Sequence, residues 1–258
     1  MASGKVTVLV TGASSGIGLE TVRLLAQASP DLQILLGSRS VEKAAEVLEI
    51  LRATHGDALK SDISLLEIDV TDIKVITAAK EHVESTYGKL DVLINNAGVI
   101  ITKPCDTLTN LRETFETNVF GTAVVTETFE PLLKKSTAGA RLIYVSSDQG
   151  SISNRLDPEY RWYKLRGDYY RMSKAAVNML AACHRVNYAE WGCKVLAFNP
   201  DFCLTYLTGG RGCDMRKQLG ARDPKDAAGA LVDLVLGKRD DDFTKSGIID
   251  IDGNVRPW

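Results

Sequence analysis

The chain lacks a charge excess of either sign. Its 31 Lys and Arg stand against 33 Asp and Glu, for a formal net charge of -2. No basic footprint exists for nucleic acid or an anionic membrane, and neither is expected as a partner. Long apolar runs are missing too: none reaches the roughly 18–20 residues that span a bilayer. The five cysteines, Cys105, Cys183, Cys193, Cys203 and Cys213, are odd in number and form no Cys-x-x-Cys pair. Reduced thiols in a cytoplasmic protein without a bound metal are therefore expected, rather than a disulfide framework or a zinc site. Met1-Ala-Ser-Gly-Lys5 offers no basic n-region and no cleavage site, which is not the pattern of a secretory leader. No Pro/Ser-rich linker, repeat or charge block interrupts the 258 residues. That length suits one large domain spanning 1–258.

What the chain does have is a periodicity that alternates in type from start to finish. Lys5 to Thr11 is a β-branched, nearly all-apolar run, as expected of a strand buried on both faces. Ile17 to Ala28 follows at helical spacing. Strand-like runs recur at Leu32–Leu36, Leu65–Val70, Leu90–Ile94, Arg141–Val145, Lys194–Phe198 and Gly247–Ile251. Helical patterns lie between them at Val41–Arg52, Asp72–Tyr87, Leu111–Lys135, Tyr169–Trp191 and Pro224–Leu236, the first begun by the N-cap candidate Ser40. This order predicts right-handed βαβ crossovers and a mostly parallel, doubly wound sheet with helices on both faces.

The first strand runs into Thr11-Gly12-Ala13-Ser14-Ser15-Gly16-Ile17-Gly18, which opens the first helix. Glycines permit a tight turn and a close backbone approach, and the helix N-terminus offers free N–H groups to a pyrophosphate. A glycine turn closing a βα unit can serve packing alone, but a strand before and a helix after are the context a dinucleotide site requires. Gly12, Ser14, Ser15, Gly16, Ile17 and Gly18 are thus candidate cofactor residues. At the end of the second strand, Gly37-Ser38-Arg39 holds no carboxylate. Asp or Glu there would accept the ribose hydroxyls of NAD; Arg39 instead offers a fork of donors to a 2′-phosphate and Ser38 a hydroxyl, which favours NADP(H).

Further motifs follow in order: Asn95-Asn96-Ala97-Gly98 after the fourth strand, Asn118 in the long helix, Ser146-Ser147 after the fifth strand, and Tyr170-Arg-Met-Ser-Lys174. Taken together, these make the chain resemble a classical short-chain dehydrogenase/reductase over essentially its full length, with a likeness to the carbonyl-reductase-like branch. The resemblance implies a Rossmann-type, seven-stranded α/β fold with a cofactor half of about 1–150 and a catalytic and substrate half of about 151–258. It implies a catalytic tetrad of Asn118, Ser147, Tyr170 and Lys174. Ser147 is preferred to Ser146 because Ser147-Asp-Gln-Gly150 fits the family's Ser-x-x-Gly. It assigns Asp69 and Val70 to the adenine, Asn96, Ala97 and Gly98 to the cofactor wall, and Pro200, Cys203 and Thr205 to the nicotinamide end. In the family, Lys174 also binds the nicotinamide ribose and Asn118 holds a proton-relaying water.

Side-chain chemistry supports the assignment independently. Tyr170 and Lys174, at i and i+4, share one helix face. A nearby ammonium favours phenolate and should bring the tyrosine pKa from about 10 towards the working pH. Tyr170 then exchanges a proton with a carbonyl or alcohol oxygen, and Ser147 holds the same oxygen. The expected activity is NADP(H)-dependent reduction of a ketone or aldehyde, or the reverse oxidation, on a small-molecule substrate. Rival readings are imine reduction or non-redox chemistry on the same scaffold, and a catalytically silent dinucleotide-sensing module.

Three departures from the family pattern remain. Pro200-Asp201 stands where the family has Pro-Gly, and Asp tolerates positive φ. Its carboxylate points either to solvent or into the active site, where it would suit a cationic substrate. The long spacer from Ser147 to Tyr170 carries Trp162 and Tyr163, which either wall the substrate pocket or anchor the loop. The segment from Thr205 to Leu219 reads as a mobile lid. Ser147, Trp162, Tyr163, Asp201, Phe202, Tyr206 and Leu207 form the candidate substrate surface, suited to a bulky apolar ketone of secondary metabolism. A homo-oligomer is possible through the two long helices, although the spacer could obstruct that face.

Overall fold

A computed structural model of the chain describes residues 4–208 and 210–258, with the side chains of all but 210–213. Met1 to Ser3, Gly209 and the side chain of Cys213 thus lie outside the described residues. The sheet is built from β1 (Val6–Val10), β2 (Leu32–Ser38), β3 (Asp62–Glu67), β4 (Val92–Asn95), β5 (Arg141–Val145), β6 (Lys194–Asn199), β7 (Ile248–Asp250) and β8 (Val255–Arg256). Their spatial order is 3-2-1-4-5-6-7-8, parallel throughout except for β8, which runs antiparallel to β7. The eighth strand is the one difference in strand number from the expected seven. It consists of two exposed residues beside a turn, too short to leave a periodic signal.

Helices α1 (Gly16–Ala28), α2 (Val41–His55), α3 (Ile73–Tyr87), α4 (Thr107–Phe115), α5 (Thr122–Leu133), α6 (Ile152–Leu156), α7 (Asp168–Asn187), α8 (Gly210–Gln218) and α9 (Pro224–Val235) flank the sheet. The alternation within β1 explains the two layers. Val8 and Val10 pack with Val22 and Leu25 of α1, Leu48 of α2 and Leu231 of α9 on one face. Leu9 packs on the other with Ile76 of α3, Phe129 of α5 and Val177 of α7. Each such side chain contributes about 1.5–3 kcal/mol by leaving water, so the register of the central strands is strongly fixed.

Two boundaries depart from the periodicity. β3 begins and ends three residues before the expected Leu65–Val70, because the Asp69 carboxylate takes the Thr71 N–H and hydroxyl at 2.9 and 2.7 Å and turns the chain. The expected helix from Leu111 to Lys135 begins at Thr107, where Asp106 caps it, and is interrupted by a π-turn at Glu116–Gly121 between α4 and α5. Such turns frequently accompany functional sites. This one carries Asn118.

Candidate active site

Strand order reverses between β1 and β4, and a crevice at the carboxyl ends of the strands is the expected result. A groove of about 610 Å³ runs there. Of the expected cofactor residues, Gly12, Ser14, Ser15, Gly16, Ile17, Ser38, Arg39, Asp69, Val70, Asn96, Ala97, Gly98, Tyr170, Lys174, Pro200 and Thr205 line it. Gly18 and Cys203 do not. Gly18 is buried where an added Cβ would meet the Asn96 amide nitrogen at 2.5 Å, so it serves the packing of α1 on the Asn96 turn. Cys203 belongs to the core, and its thiol donates to the Pro200 carbonyl at 3.0 Å.

The chain's own groups suit a dinucleotide. The N-cap of α1, Ser15, makes no side-chain capping bond, and the first turn holds no acid. The free N–H groups and positive dipole end therefore remain available to a phosphate. Gly16 reaches this turn with φ 57, and Thr205 closes over it at 3.4 Å from where a Cβ would stand. Asn96 fixes the opposite wall by donating to Thr11 O at 2.8 Å.

Beyond β2, Arg39 and Lys43 are both exposed at the groove rim. Lys43 was not among the expected residues. Its signal was present: it stands four residues after Arg39, in the first turn of α2. Ser38 lines the groove, but its hydroxyl is engaged with the Ser40 carbonyl at 3.0 Å.

At the other end, Ser147 and Tyr170 meet. The tight turn after β5 sits directly on α7: a Cβ on Gly150 would lie 2.5 Å from the Lys174 carbonyl carbon, which is why a glycine is needed three residues after Ser147. The Ser147 hydroxyl lies within hydrogen-bonding reach of Tyr170, donates to Asp148 Oδ1 at 3.4 Å and accepts from Gln149 N at 3.1 Å. Ser146 instead donates to Asn178. Lys174 is 5% exposed, donates to Val145 O at 2.8 Å and has its ammonium 5.7 Å from the Tyr170 ring centre.

Electrostatics here differ from the expectation for Tyr170. Burial of its hydroxyl end pushes the pKa up to about 12; the Arg216 charge and the Ser147 hydrogen bond oppose that rise, and Asp148 adds to it. Burial also pulls Lys174 down to about 8, because an ammonium loses hydration there. The expected pull of Lys174 is not among the influences on the phenol, and desolvation dominates. Asn118 is fully engaged: it accepts from Val99 N at 2.8 Å and donates to Val99 O and the Ser173 hydroxyl, both at 3.0 Å.

On the substrate side, Tyr206 and Leu207 line the groove beside Val99, Ile100 and Ile101. Ser147, Trp162, Tyr163, Asp201 and Phe202 do not, and Ser146 lines it in place of Ser147. Arg171 of α7 donates to the carbonyls of Trp162 and Leu165 at 2.8 and 3.2 Å, and the Trp162 ring packs tilted against Phe202 with centroids 5.1 Å apart. The aromatic spacer is thus tied down by its backbone and by one ring pair. Asp201 has φ 60, alone among the described non-glycine residues in that region. Its carboxylate is neither open to solvent alone nor turned to the groove, for it pairs with Arg222 at 3.4 Å and Arg161 at 4.0 Å. Arg216, 8% exposed on α8, was not foreseen; nothing in the mixed polarity around it marks it in the sequence.

The family model for the short chain dehydrogenases matches residues 6–215. With that match across most of its length, the chain belongs to the short-chain dehydrogenase/reductase family. It is 37% identical over 245 residues to short-chain dehydrogenase anuI of Penicillium roqueforti, covering 89% of this chain and 94% of the relative. It is 32% identical over 277 aligned positions to short-chain dehydrogenase/reductase eupG of a Phoma species, covering 100% and 99%. Among solved structures, NADPH-bound carbonyl reductase from chicken fatty liver matches with a TM-score of 0.78 at 28% identity, over 98% and 100% of the two chains. Among the described residues, no helix is long and apolar enough to cross a membrane.

Proposed function

We propose that the protein is an NADP(H)-dependent carbonyl reductase, acting on a ketone or aldehyde or on the corresponding alcohol. The observation that carries the reading is a groove that presents Tyr170 and Lys174 at one end, with Ser147 in hydrogen-bonding reach of Tyr170, and Arg39 and Lys43 at its far rim. A reduced nicotinamide dinucleotide bound there supplies the hydride. Tyr170 donates its proton to the substrate oxygen, and its pKa of about 12 keeps that proton in place at neutral pH. Ser147 holds the same oxygen as charge develops on it. Lys174 and Asn118 complete the tetrad, Lys174 beneath the phenol and Asn118 as the clamp on Val99. Imine reduction loses its support, since the Asp201 carboxylate is occupied by two arginines.

Tyr206, Leu207, Ile100 and Ile101 make the substrate end aliphatic and aromatic, which suits a bulky apolar ketone such as those of secondary metabolism. The fungal relatives agree with that setting. The direct test follows reduced-nicotinamide absorbance with a panel of bulky and small carbonyl compounds; no oxidation of bound NADPH by any of them would refute the reading.

Cofactor choice is separately testable. Arg39→Asp should weaken NADPH binding about 10- to 100-fold, the worth of a charged hydrogen bond lost to a like charge, and narrow its advantage over NADH. Equal NADPH affinity in both proteins, measured by titration, would remove Arg39 from the site. Phe120 of the π-turn and Met172, Met179 and Val186 of α7 are exposed. We expect them to be covered by a second copy, and light scattering at the mass of a single chain would exclude it.

A further inference from the structure

The ladder between β5 and β6 ends where the crevice opens. Its last register pair is Val145 with Phe198, and the Ser146 N–H still reaches the Phe198 carbonyl at 2.8 Å. Beyond that point one chain turns through Ser147 and Asp148, the other through Pro200 and Asp201. Asn199, the last residue of β6, stands at this fork and is 3% exposed. Its side-chain oxygen accepts two backbone N–H groups, from Asp148 at 3.3 Å and from Asp201 at 3.3 Å. The bond from Asp201 is local, the turn an Asn side chain makes with the backbone two residues on. It satisfies the N–H of the residue held at φ 60. The bond from Asp148 crosses 51 residues of chain. One amide oxygen thereby adds a rung after the two backbones have parted.

We propose that Asn199 is a positioning residue for carbonyl reduction, tying the Ser147 turn to the nicotinamide end of the groove. The proposal rests on the reductase reading above, in which Ser147 holds the substrate oxygen and Pro200 and Thr205, both in the groove wall, border the nicotinamide. The carbon of that carbonyl must then face the hydride donor, so the separation of the two walls sets the approach. The Ser147 turn moves as a unit: the Ser147 hydroxyl accepts from Gln149 N at 3.1 Å and its carbonyl from Gly150 N at 3.0 Å. Arg171 steadies the same turn from α7, donating to Gln149 O at 3.5 Å. Asn199 holds it from the opposite side, on β6, and is joined directly to Pro200. Asn199 itself does not line the groove. It acts through Ser147, and a misplacement of about 1 Å in such an approach costs up to about 10²-fold in rate.

Asn199→Ser separates the two bonds. A serine hydroxyl keeps the local bond to Asp201 N but is one bond too short for Asp148 N. Its kcat for carbonyl reduction should fall about 10-fold, with NADPH affinity within about twofold of wild type. In a Ser147→Ala background the same substitution should cost less than about twofold, because the turn no longer holds the oxygen. A second variant removes the donor instead. Proline is tolerated at 148, the first residue of a 3-10 turn preceded by the extended Ser147. Asp148→Pro should therefore turn over about 10-fold more slowly than Asp148→Ala, which keeps the N–H. Amide hydrogen exchange of the ligand-free protein reads the tie without activity: in Asn199→Ser the Asp148 amide should exchange about tenfold faster while Asp201 keeps its protection. Wild-type kcat in Asn199→Ser, equal losses with and without Ser147, Asp148→Pro matching Asp148→Ala, or unchanged exchange at Asp148 would each overturn the proposal. Faster Asp148 exchange in a protein whose wild type reduces no carbonyl would uphold the tie and defeat the reductase reading instead.

Discussion

Tyr170→Phe is expected to lower carbonyl reduction about 10²- to 10⁴-fold, the range supplied by a positioned general acid, with NADPH affinity nearly unchanged. Phenylalanine keeps the ring, so the groove wall beside Lys174 is retained and only the hydroxyl is lost. Steady-state kinetics with the wild-type substrate check this, and undiminished turnover would show that the proton comes from elsewhere. The pH dependence has a sign of its own. On the proposed mechanism, reduction needs a protonated Tyr170 and benefits from a charged Lys174. The phenol keeps its proton to about 12, whereas the ammonium loses its charge as pH rises through about 8. The wild-type rate should therefore hold level across neutral pH and decline above about 8, with Lys174 rather than Tyr170 setting the descent.

The groove was largely legible because its residues sit where local rules are strongest. An apolar run, a glycine turn and a helix start fix β1 and α1 with few alternatives. Tyr170 and Lys174 share a face through helix geometry alone. What escaped reading depends on distance through space or on exposed backbone. β8 is two residues held by pairing with β7. α6 is five residues starting at the Ser151 cap, within a spacer whose basic and aromatic composition has no helical period. The end of β3 is decided by the side chain of Asp69, which can turn a chain as easily as extend it. Asp201 illustrates both sides of the matter: its positive φ was foreseeable from Pro200-Asp201, while its partners Arg161 and Arg222 come from segments 40 residues before it and 21 after it. Arg216 meets the Phe202 ring and Cys203 O only because α8 folds back over Phe202, and no spacing in the chain announces that.

Lys174→Met should abolish most activity and yet make the ligand-free protein more stable. Burial lowers the lysine from 10.5 to about 8, and a displacement of this size corresponds to about 3 kcal/mol spent on keeping an ammonium in a poorly hydrated site. Methionine has similar reach and no charge. It forfeits the hydrogen bond to Val145 O, about 1 kcal/mol, so a net gain of about 2 kcal/mol remains, or roughly 4–8 °C in Tm for a chain of this size. The sign with pH follows from linkage. Below about pH 8 the lysine is charged both folded and unfolded, and the folded protein bears the whole penalty. As pH rises from about 8 towards 10.5 the folded state sheds its proton first, so the penalty fades and wild type regains stability relative to the variant. Thermal melts of both proteins at pH 7 and pH 10 should show the advantage of Lys174→Met shrinking at the higher value. A variant less stable than wild type at pH 7, or an advantage that grows with pH, would mean that the ammonium is well satisfied where it lies. The expected result would mean that the fold tolerates a costly charge at this position because the groove needs a cation beneath Tyr170.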